Sequence, residues 1–176
     1  MSGSRRTGGS SRVGLNKKWG RFPSGALGWR MSQEGFFENI TFINELKLRG
    51  SWGNTGNNNI GNYQSIATVS YLKYALGNQA VGAYAPGRPA NYDLTWERQL
   101  QTNIGFDLGL FNRLNISADL FNTINKDLLL NVNVAQVTGY STALLNIGQV
   151  NNKGWEVTLS SINLKGKFEW TTDFNI

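Results

Sequence analysis

Three carboxylates are the residues whose type and spacing come nearest to catalytic chemistry. Glu97, Asp107 and Asp119 each alternate with apolar neighbours, so all three fall on the polar side of an extended segment. Paired carboxylates can serve as acid and nucleophile in glycoside hydrolysis. A wet surface of mixed charge explains the same residues without a fixed carboxyl separation, so we assign no catalytic residue and predict that the chain is not an enzyme.

The composition excludes several other chemistries. The chain has no Cys and no His, which excludes Ser–His–Asp and Cys–His nucleophile systems and ordinary zinc sites. The run GNTGNNNIG at 53–61 lacks the Gly-Lys-Ser/Thr ending of a phosphate-binding loop and the ligand spacing of a calcium loop. We therefore predict no metal site and no cofactor.

The net charge of +6 comes from the start of the chain. Seven of the 17 basic residues lie in the first thirty positions, whereas 31–176 carry 10 basic and 11 acidic residues. A basic arm is a feature of nucleic-acid binders, which here would act through residues 1–30. A solvated segment is the commoner explanation of such an arm, and no basic stripe continues beyond it, so we predict no nucleic-acid partner. We expect 1–18, rich in Gly, Ser and Arg, to be loose.

Glu97 and Asp107 lie in an unusually long segment in which apolar and polar residues alternate. In TWERQLQTNIGFDLGLF, 95–111, apolar residues fall on even numbers and polar ones on odd numbers, with Arg98 the one charge on the apolar side. This period of two predicts a two-faced β-strand. Soluble strands usually run about 5–6 residues, and this alternation lasts roughly fifteen. The polar face of this segment and the next carries Glu97, Gln99, Gln101, Asn103, Asp107 and Asp119.

Similar alternation recurs along the chain and predicts an all-β fold. Alternating segments lie at 25–31, 45–54, 114–125, 154–160 and 168–176, which together with 96–110 give about six long antiparallel strands in up-and-down order and no helix. Tight turns near 111–113 and 163–167 alternate with long loops at 55–95 and 131–148, the first containing a weak strand at 71–76. One sheet edge should therefore carry short turns and the other long loops.

Strand height favours a membrane barrel. Fifteen residues at about 3.3 Å each, tilted by about 45°, reach roughly 35 Å, which covers the about 25 Å apolar band of a transmembrane barrel. Aromatic residues suit girdles at both ends of that band: Trp52, Trp96 and Trp155 beside the long loops, and Phe168 and Trp170 beside the tight turns. The same aromatics would form a core in a soluble β-sandwich, so a carbohydrate-binding module stays open as the alternative.

All six tyrosines fall in the two long loops. Loops on a rigid scaffold are where binding residues concentrate, and Tyr combines an apolar ring with a hydroxyl that forms hydrogen bonds. We single out Tyr63, Tyr84, Tyr92 and Tyr140 as candidate ligand or partner contacts. Packing of the loops against each other explains any one of these tyrosines as well.

The motifs LKLRGSWGNTGNNNIGNY, QTNIGFDLGLF, DLFNTINKDLLL and NIGQVNNKGWEVTL, in this order, resemble the β-barrel of SusC/RagA-type TonB-linked outer-membrane proteins. The resemblance covers roughly 12–176. It implies a place in the lipid bilayer of the bacterial outer membrane and import of a nutrient, often an oligosaccharide or a peptide. It also implies energy from a TonB complex and a SusD-like surface lipoprotein that caps the barrel.

Members of that family are several times longer than 176 residues. The signal sequence, plug domain and TonB-contacting segment of the family are not among these residues, so we expect 19–176 to be a section of barrel wall from the later part of such a protein. About six strands cannot close, because single-chain bacterial barrels start at 8 strands, and open edges leave backbone groups unpaired. We expect the chain alone neither to insert nor to transport.

Overall fold

A computed structural model describes all residues, 1–176, as eleven β-strands and three single-turn 3₁₀ helices. No helix in it is long and apolar enough to cross a lipid bilayer. The strands are β1 Ser2–Gly9, β2 Trp19–Arg30, β3 Ile43–Asn57, β4 Thr68–Leu76, β5 Gln79–Arg88, β6 Glu97–Leu110, β7 Leu114–Lys126, β8 Leu129–Asn133, β9 Thr142–Asn146, β10 Gln149–Leu164 and β11 Trp170–Asn175. The 3₁₀ turns are Met31–Gln33, Gly35–Phe37 and Gln136–Thr138.

Seven strands form one antiparallel sheet in the order β1-β2-β3-β6-β7-β10-β11. The hairpin β4–β5 is inserted between β3 and β6, and the hairpin β8–β9 between β7 and β10. The sheet is therefore an up-and-down meander whose two insertions leave from the same end. The predicted all-β, up-and-down fold class is confirmed, and within these residues the sheet stays open, with β1 and β11 at its edges.

The four central strands are long and stay in register. They contain 13 to 16 residues each, and β6 pairs along its whole length with β3 and from Arg98 to Leu110 with β7. Residues that pair across antiparallel strands point to the same face. The register therefore aligns one apolar row across five strands, made of Leu46, Leu108, Ile116, Leu159 and Phe174.

Because apolar and polar rows alternate, the sheet has two faces, which we call the outer face and the inner face. The outer face is the one that carries Leu48, Phe106 and Leu120, and all three side chains are exposed. The inner face is the opposite one, which carries Arg49 and Asp107. Only 11 of the 176 residues are buried, so the apolar side chains are not sealed in a core. A β-sandwich packs a second sheet on its apolar face, and this architecture gives the carbohydrate-binding module no support.

The connection between β6 and β7 shows how the tight-turn end is built. Phe111 and Asn112 both have positive φ, 54° and 52°, as in the two-residue turns that match the twist of a hairpin. The Phe111 N–H donates to the Phe42 carbonyl at 2.9 Å, and the two rings stack with centroids 6.0 Å apart. Residues 31–42, 111–113 and 165–169 lie at this end.

The prediction that 1–18 is loose is wrong for its first half. Ser2 to Gly9 form β1 and pair with β2 over eight positions, from Ser2↔Ala26 to Gly9↔Trp19. Gly, Ser and Arg have weak strand preference, but the open edge of β2 supplies backbone partners that local preference does not register. Residues 10–18 connect β1 to β2, and within them Val13 is buried and the Gly14 N–H donates to the Leu94 carbonyl at 2.7 Å.

The long connections also contain more structure than expected. Because β3 continues to Asn57 and β6 begins at Glu97, the first connection is 58–96, and it contains the hairpin β4–β5 in place of one weak strand. The second connection, 127–148, contains β8–β9 and a 3₁₀ turn. Both leave from the end opposite the tight turns, so the predicted separation of short turns from long loops is confirmed.

Candidate functional site

The six polar residues predicted for one face do share the inner face. Glu97, Gln99, Gln101, Asn103 and Asp107 alternate along β6 and pair with β3 at Asn57, Thr55, Gly53, Ser51 and Lys47, while Asp119 on β7 pairs with Gly105. They form a polar strip that runs the length of two adjacent strands. That this strip borders an aqueous lumen stays a prediction, because the sheet is open in these residues.

Arg49 organises the charges on this face. Its guanidinium donates to both carboxylate oxygens of Asp107, Nε to Oδ2 at 2.9 Å and Nη2 to Oδ1 at 3.0 Å. It also donates to both oxygens of Asp119, at 2.9 and 3.1 Å. Ser117 Oγ donates to Asp107 Oδ1 at 2.8 Å, and Lys47 Nζ lies 3.8 Å from Asp107 Oδ2. Arg49 therefore links strands β3, β6 and β7 through two carboxylates.

A glycine makes the longer of these links possible. Arg49 pairs with Gly105, and Gly105 pairs with Asp119, so the three residues form one row on the inner face. A Cβ on Gly105 would overlap Asp119 Oδ1 and lie 2.8 Å from the Ala118 carbonyl oxygen. The missing side chain leaves the space through which the guanidinium reaches a carboxylate two strands away.

This arrangement holds two carboxylates in ion pairs with one guanidinium. Asp107 and Asp119 both accept charge-assisted hydrogen bonds from Arg49. Glu97 lies ten residues from Asp107 along β6, a separation of about 33 Å. No group of three or more Asp, Glu, His or Cys side chains converges as a metal site would require. The face offers paired charge and hydrogen-bonding groups.

Trp96 is buried, whereas the predicted aromatic girdle requires a side chain that is exposed to lipid. Its side chain is 9% exposed and packs edge-on against Phe22 with ring centroids 5.5 Å apart, in a small cluster with Val13. Its Nε1 donates to the Lys18 carbonyl at 3.2 Å. The alternation of β6 ends at Glu97, so the parity that assigned Trp96 to the outer face does not extend to it.

The other four predicted girdle aromatics are exposed. Trp52 and Trp155 lie on the outer face in neighbouring rows, Trp52 beside Thr102 and Trp155 beside Leu120. Phe168 and Trp170 are exposed at the tight-turn end. The exposed aromatics thus mark two heights of the sheet, and their contact with a membrane interface stays a prediction.

The four singled-out tyrosines are dispersed over the long-loop end. Tyr63 and Tyr92 are exposed in the first connection, and Tyr140 is half-buried in the second. Tyr84 is exposed on β5 and packs edge-on against Tyr71 of β4, with centroids 5.6 Å apart. The structure therefore places the four near one end of the sheet without assembling them into one cluster, and their role in binding stays a prediction.

Two asparagines that no local pattern indicated, Asn91 and Asn146, join the two connections. Asn146 accepts the Thr95 N–H through Oδ1 at 2.7 Å, and its Nδ2 donates to the carbonyls of Thr95 and Asp127, both at 2.9 Å. Asn91 Nδ2 donates to the Leu144 carbonyl at 2.9 Å. These bonds tie 91–95 to 144–146 at the base of the long-loop end. The turn around Asn91 was visible in the sequence, but its partners fifty residues away were not.

An open antiparallel sheet of long strands, apolar and exposed on one face and polar and ion-paired on the other, has the construction of a membrane β-barrel wall. The model of the family described as "TonB dependent receptor-like, beta-barrel" matches residues 2–176. The chain belongs to this family, as the motifs in its sequence had indicated.

Relatives agree over nearly the whole chain. The chain is 44% identical to TonB-dependent receptor P39 of Formosa agariphila over 99% of its own length, and 34% identical to TonB-dependent receptor SusC of Bacteroides thetaiotaomicron over 96%. The RagAB peptide importer in its closed-closed state superposes with a TM-score of 0.82 at 29% identity, covering 98% of this chain and 19% of that chain. This chain spans 17% of the length of those two receptors.

Proposed function

We propose that this chain forms part of the wall of a TonB-dependent transporter in the bacterial outer membrane, which imports a nutrient such as an oligosaccharide or a peptide. The observation that carries the proposal is the outer face of β3, β6, β7 and β10, where apolar side chains stay exposed along strands of 13 to 16 residues. Fourteen residues tilted by about 45° reach roughly 33 Å, more than the about 25 Å apolar band of such a barrel. The RagAB relative, named a peptide importer, supports the ligand class.

Transport is a property of the full-length protein in this proposal. The edges at β1 and β11 present unpaired backbone groups, which a lipid environment does not tolerate, so further strands must complete the ring. A TonB complex would supply energy through regions outside 1–176. Residues 1–176 expressed alone should neither insert into membranes nor conduct, and insertion with channel activity would contradict this part of the proposal.

The long connections face outside the cell in this proposal and contact the nutrient or a SusD-like lipoprotein lid. Their hydrogen bonds through Asn91 and Asn146 give the loop bases a fixed arrangement on which exposed side chains can act. The test replaces Tyr63, Tyr84, Tyr92 and Tyr140 together by alanine in the full-length protein, with Phe36→Ala at the tight-turn end as control. Nutrient uptake or lipoprotein binding should fall in the fourfold variant only, and unchanged uptake and binding would refute the assignment.

The function itself is tested in cells that carry the full-length protein. The protein should fractionate with the outer membrane and change its electrophoretic mobility on heating, as closed barrels do. Uptake of labelled oligosaccharides and peptides should then depend on both this protein and TonB. A protein found in the soluble fraction, or uptake that is indifferent to TonB, would contradict the proposal.

A further inference from the structure

The hairpin β4–β5 is a ribbon of two strands with no third strand beside it. Its turn residues Gly77 and Asn78 both have positive φ, 55° and 64°, as in the two-residue type I′ turn of regular hairpins. Every residue of β4 is exposed. A lone hairpin is at best marginally stable in water, and a third strand would stabilise it.

The outer edge of β4 presents a regular row of backbone groups. In a hairpin with a two-residue turn, the flanking residues Leu76 and Gln79 exchange hydrogen bonds, and bonded pairs then alternate with unbonded pairs along the ribbon. The N–H and C=O groups of Tyr71, Lys73 and Ala75 therefore point away from β5. No backbone hydrogen bond joins β4 to an element other than β5, so these groups have no partner in the chain.

The opposite edge of the ribbon is protected. Pro86 of β5 has no N–H to donate, and proline on an edge strand is a common means of preventing strand addition. Gly139 of the second connection lies against it, since a Cβ on Gly139 would be 3.5 Å from Pro86 Cγ. Tyr71 leaves the β4 edge uncovered because it leans over the ribbon, where a Cβ on Gly82 would lie 2.8 Å from its hydroxyl oxygen.

The side chains of β4 indicate which strand would fit beside it. Leu72, Tyr74 and Leu76 share one face of the ribbon and are exposed, so the residues beside them should be apolar at every second position. Lys73 lies on the other face, takes part in no ion pair, and has no acid anywhere in the ribbon. An acidic side chain opposite Lys73 would complement this charge.

We propose that β4 binds an extended peptide by strand addition, with the peptide as the third strand of the ribbon. The peptide backbone bonds to Tyr71, Lys73 and Ala75, its apolar side chains lie beside Leu72 and Tyr74, and an acidic side chain contacts Lys73. Backbone pairing supplies the affinity, and the alternate side chains supply the preference. The inference rests on the proposed function, which places the hairpin outside the cell and makes peptides one of the nutrient classes.

The first test varies the peptide backbone against the purified full-length protein. Fluorescence anisotropy measures the binding of labelled Val-Thr-Val-Glu-Val-Thr-Val and of two versions that are N-methylated at three alternate amides, either the second, fourth and sixth or the third, fifth and seventh. Only one of these sets faces β4 in an added strand, so one version should bind about tenfold or more weakly and the other as the parent does. Lys in place of Glu should also weaken binding.

The second test uses a matched pair of variants of the full-length protein. Ala75 and Ala80 pair across the ribbon, and each directs its N–H away from the hairpin, the first at the β4 edge and the second at the β5 edge. Ala75→Pro should therefore weaken peptide binding by about tenfold or more, whereas Ala80→Pro should not. Heat-modifiable mobility of both variants confirms that each is folded when binding is measured.

The outcomes separate this inference from the proposed function. Equal binding by the two proline variants, equal effects of the two methylation patterns, or no binding of the peptide to the wild type would overturn strand addition while leaving import intact. A wild-type protein that does not reach the outer membrane would overturn both, because the hairpin would then meet no extracellular peptide.

Discussion

Arg49 and Asp119 form an ion pair across an intervening strand, with Nη2 2.9 Å from Oδ2. Arg49 belongs to β3 and Asp119 to β7, and the strand between them, β6, contributes Gly105 to the same row. A side chain at that position would occupy the space that the guanidinium crosses. The Arg49–Asp119 ion pair therefore links three strands on the inner face. It can form because Gly105, which lies between the two residues, has no side chain.

Gly105→Ala should destabilise the full-length protein by about 1–3 kcal/mol, since the new Cβ overlaps Asp119 and the strand has little freedom to move. Gly50→Ala is the matched control, because a Cβ there meets nothing within 4 Å. The measurement is the free energy of unfolding in urea from lipid vesicles. Equal losses for the two variants would show that the row is not tightly packed at Gly105.

Arg49→Met should cost about 1–2 kcal/mol, because two carboxylates lose charged hydrogen bonds on a face that is still partly wetted. Arg30→Met provides the comparison, since Arg30 makes a single exposed contact of 3.5 Å with Glu45. That exposed pair should contribute less than about 1 kcal/mol. A loss for Arg49→Met no larger than for Arg30→Met would refute the cross-linking role.

Trp96→Ala should loosen the packing of 10–18, because Trp96 packs on Phe22 and Val13 and its Nε1 donates to the Lys18 carbonyl. Limited trypsin digestion of the full-length protein should then cut after Lys18 several-fold faster than in wild type, since cleavage requires local opening. Trp52→Ala, which removes an outer-face aromatic, should leave this cut unchanged. If trypsin cut both variants at the same rate, the side chain of Trp96 would not be what holds 10–18 in place.

Asn146→Ala should uncouple the two long connections. The Thr95 amide loses its acceptor, so its hydrogen exchange should become roughly tenfold faster, the equivalent of about 1.4 kcal/mol for one hydrogen bond. Asn131→Ala on β8 serves as control, because Asn131 is exposed and the side chain that bonds to Thr95 is that of Asn146. Unchanged exchange at Thr95 would mean that the loop bases are held without Asn146.

Most of the fold could be predicted from the period-two alternation of apolar and polar residues. It placed β6 within one residue of its observed start and indicated both ends of the sheet, because a strand with one apolar and one polar face leaves a direct trace in local sequence. The same parity placed Asp107 and Asp119 on one face. Their shared partner Arg49 depends on register between β3, β6 and β7, which local sequence does not encode.

The features that were predicted wrongly or not at all are those in which contacts between residues distant in sequence decide the structure. Residues 2–9 are poor in strand-forming residues and become β1 through pairing with an open sheet edge. Trp96 stands one residue before β6, where alternation no longer fixes its side, and packing against Phe22 decides its position. Asn91 and Asn146 look like ordinary turn residues until the fold brings their partners beside them.

The central claim is that the outer face is covered by lipid. Single nitroxide labels are placed on β6 at Gln101, Asn103, Ile104 and Phe106, in the full-length protein with any cysteine outside 1–176 replaced by serine. In reconstituted membranes, Ile104 and Phe106 should show high oxygen accessibility and low accessibility to a water-soluble nickel reagent, with the reverse at Gln101 and Asn103. Labels at Ile104 and Phe106 shielded from both reagents, as in a protein core, would contradict the account.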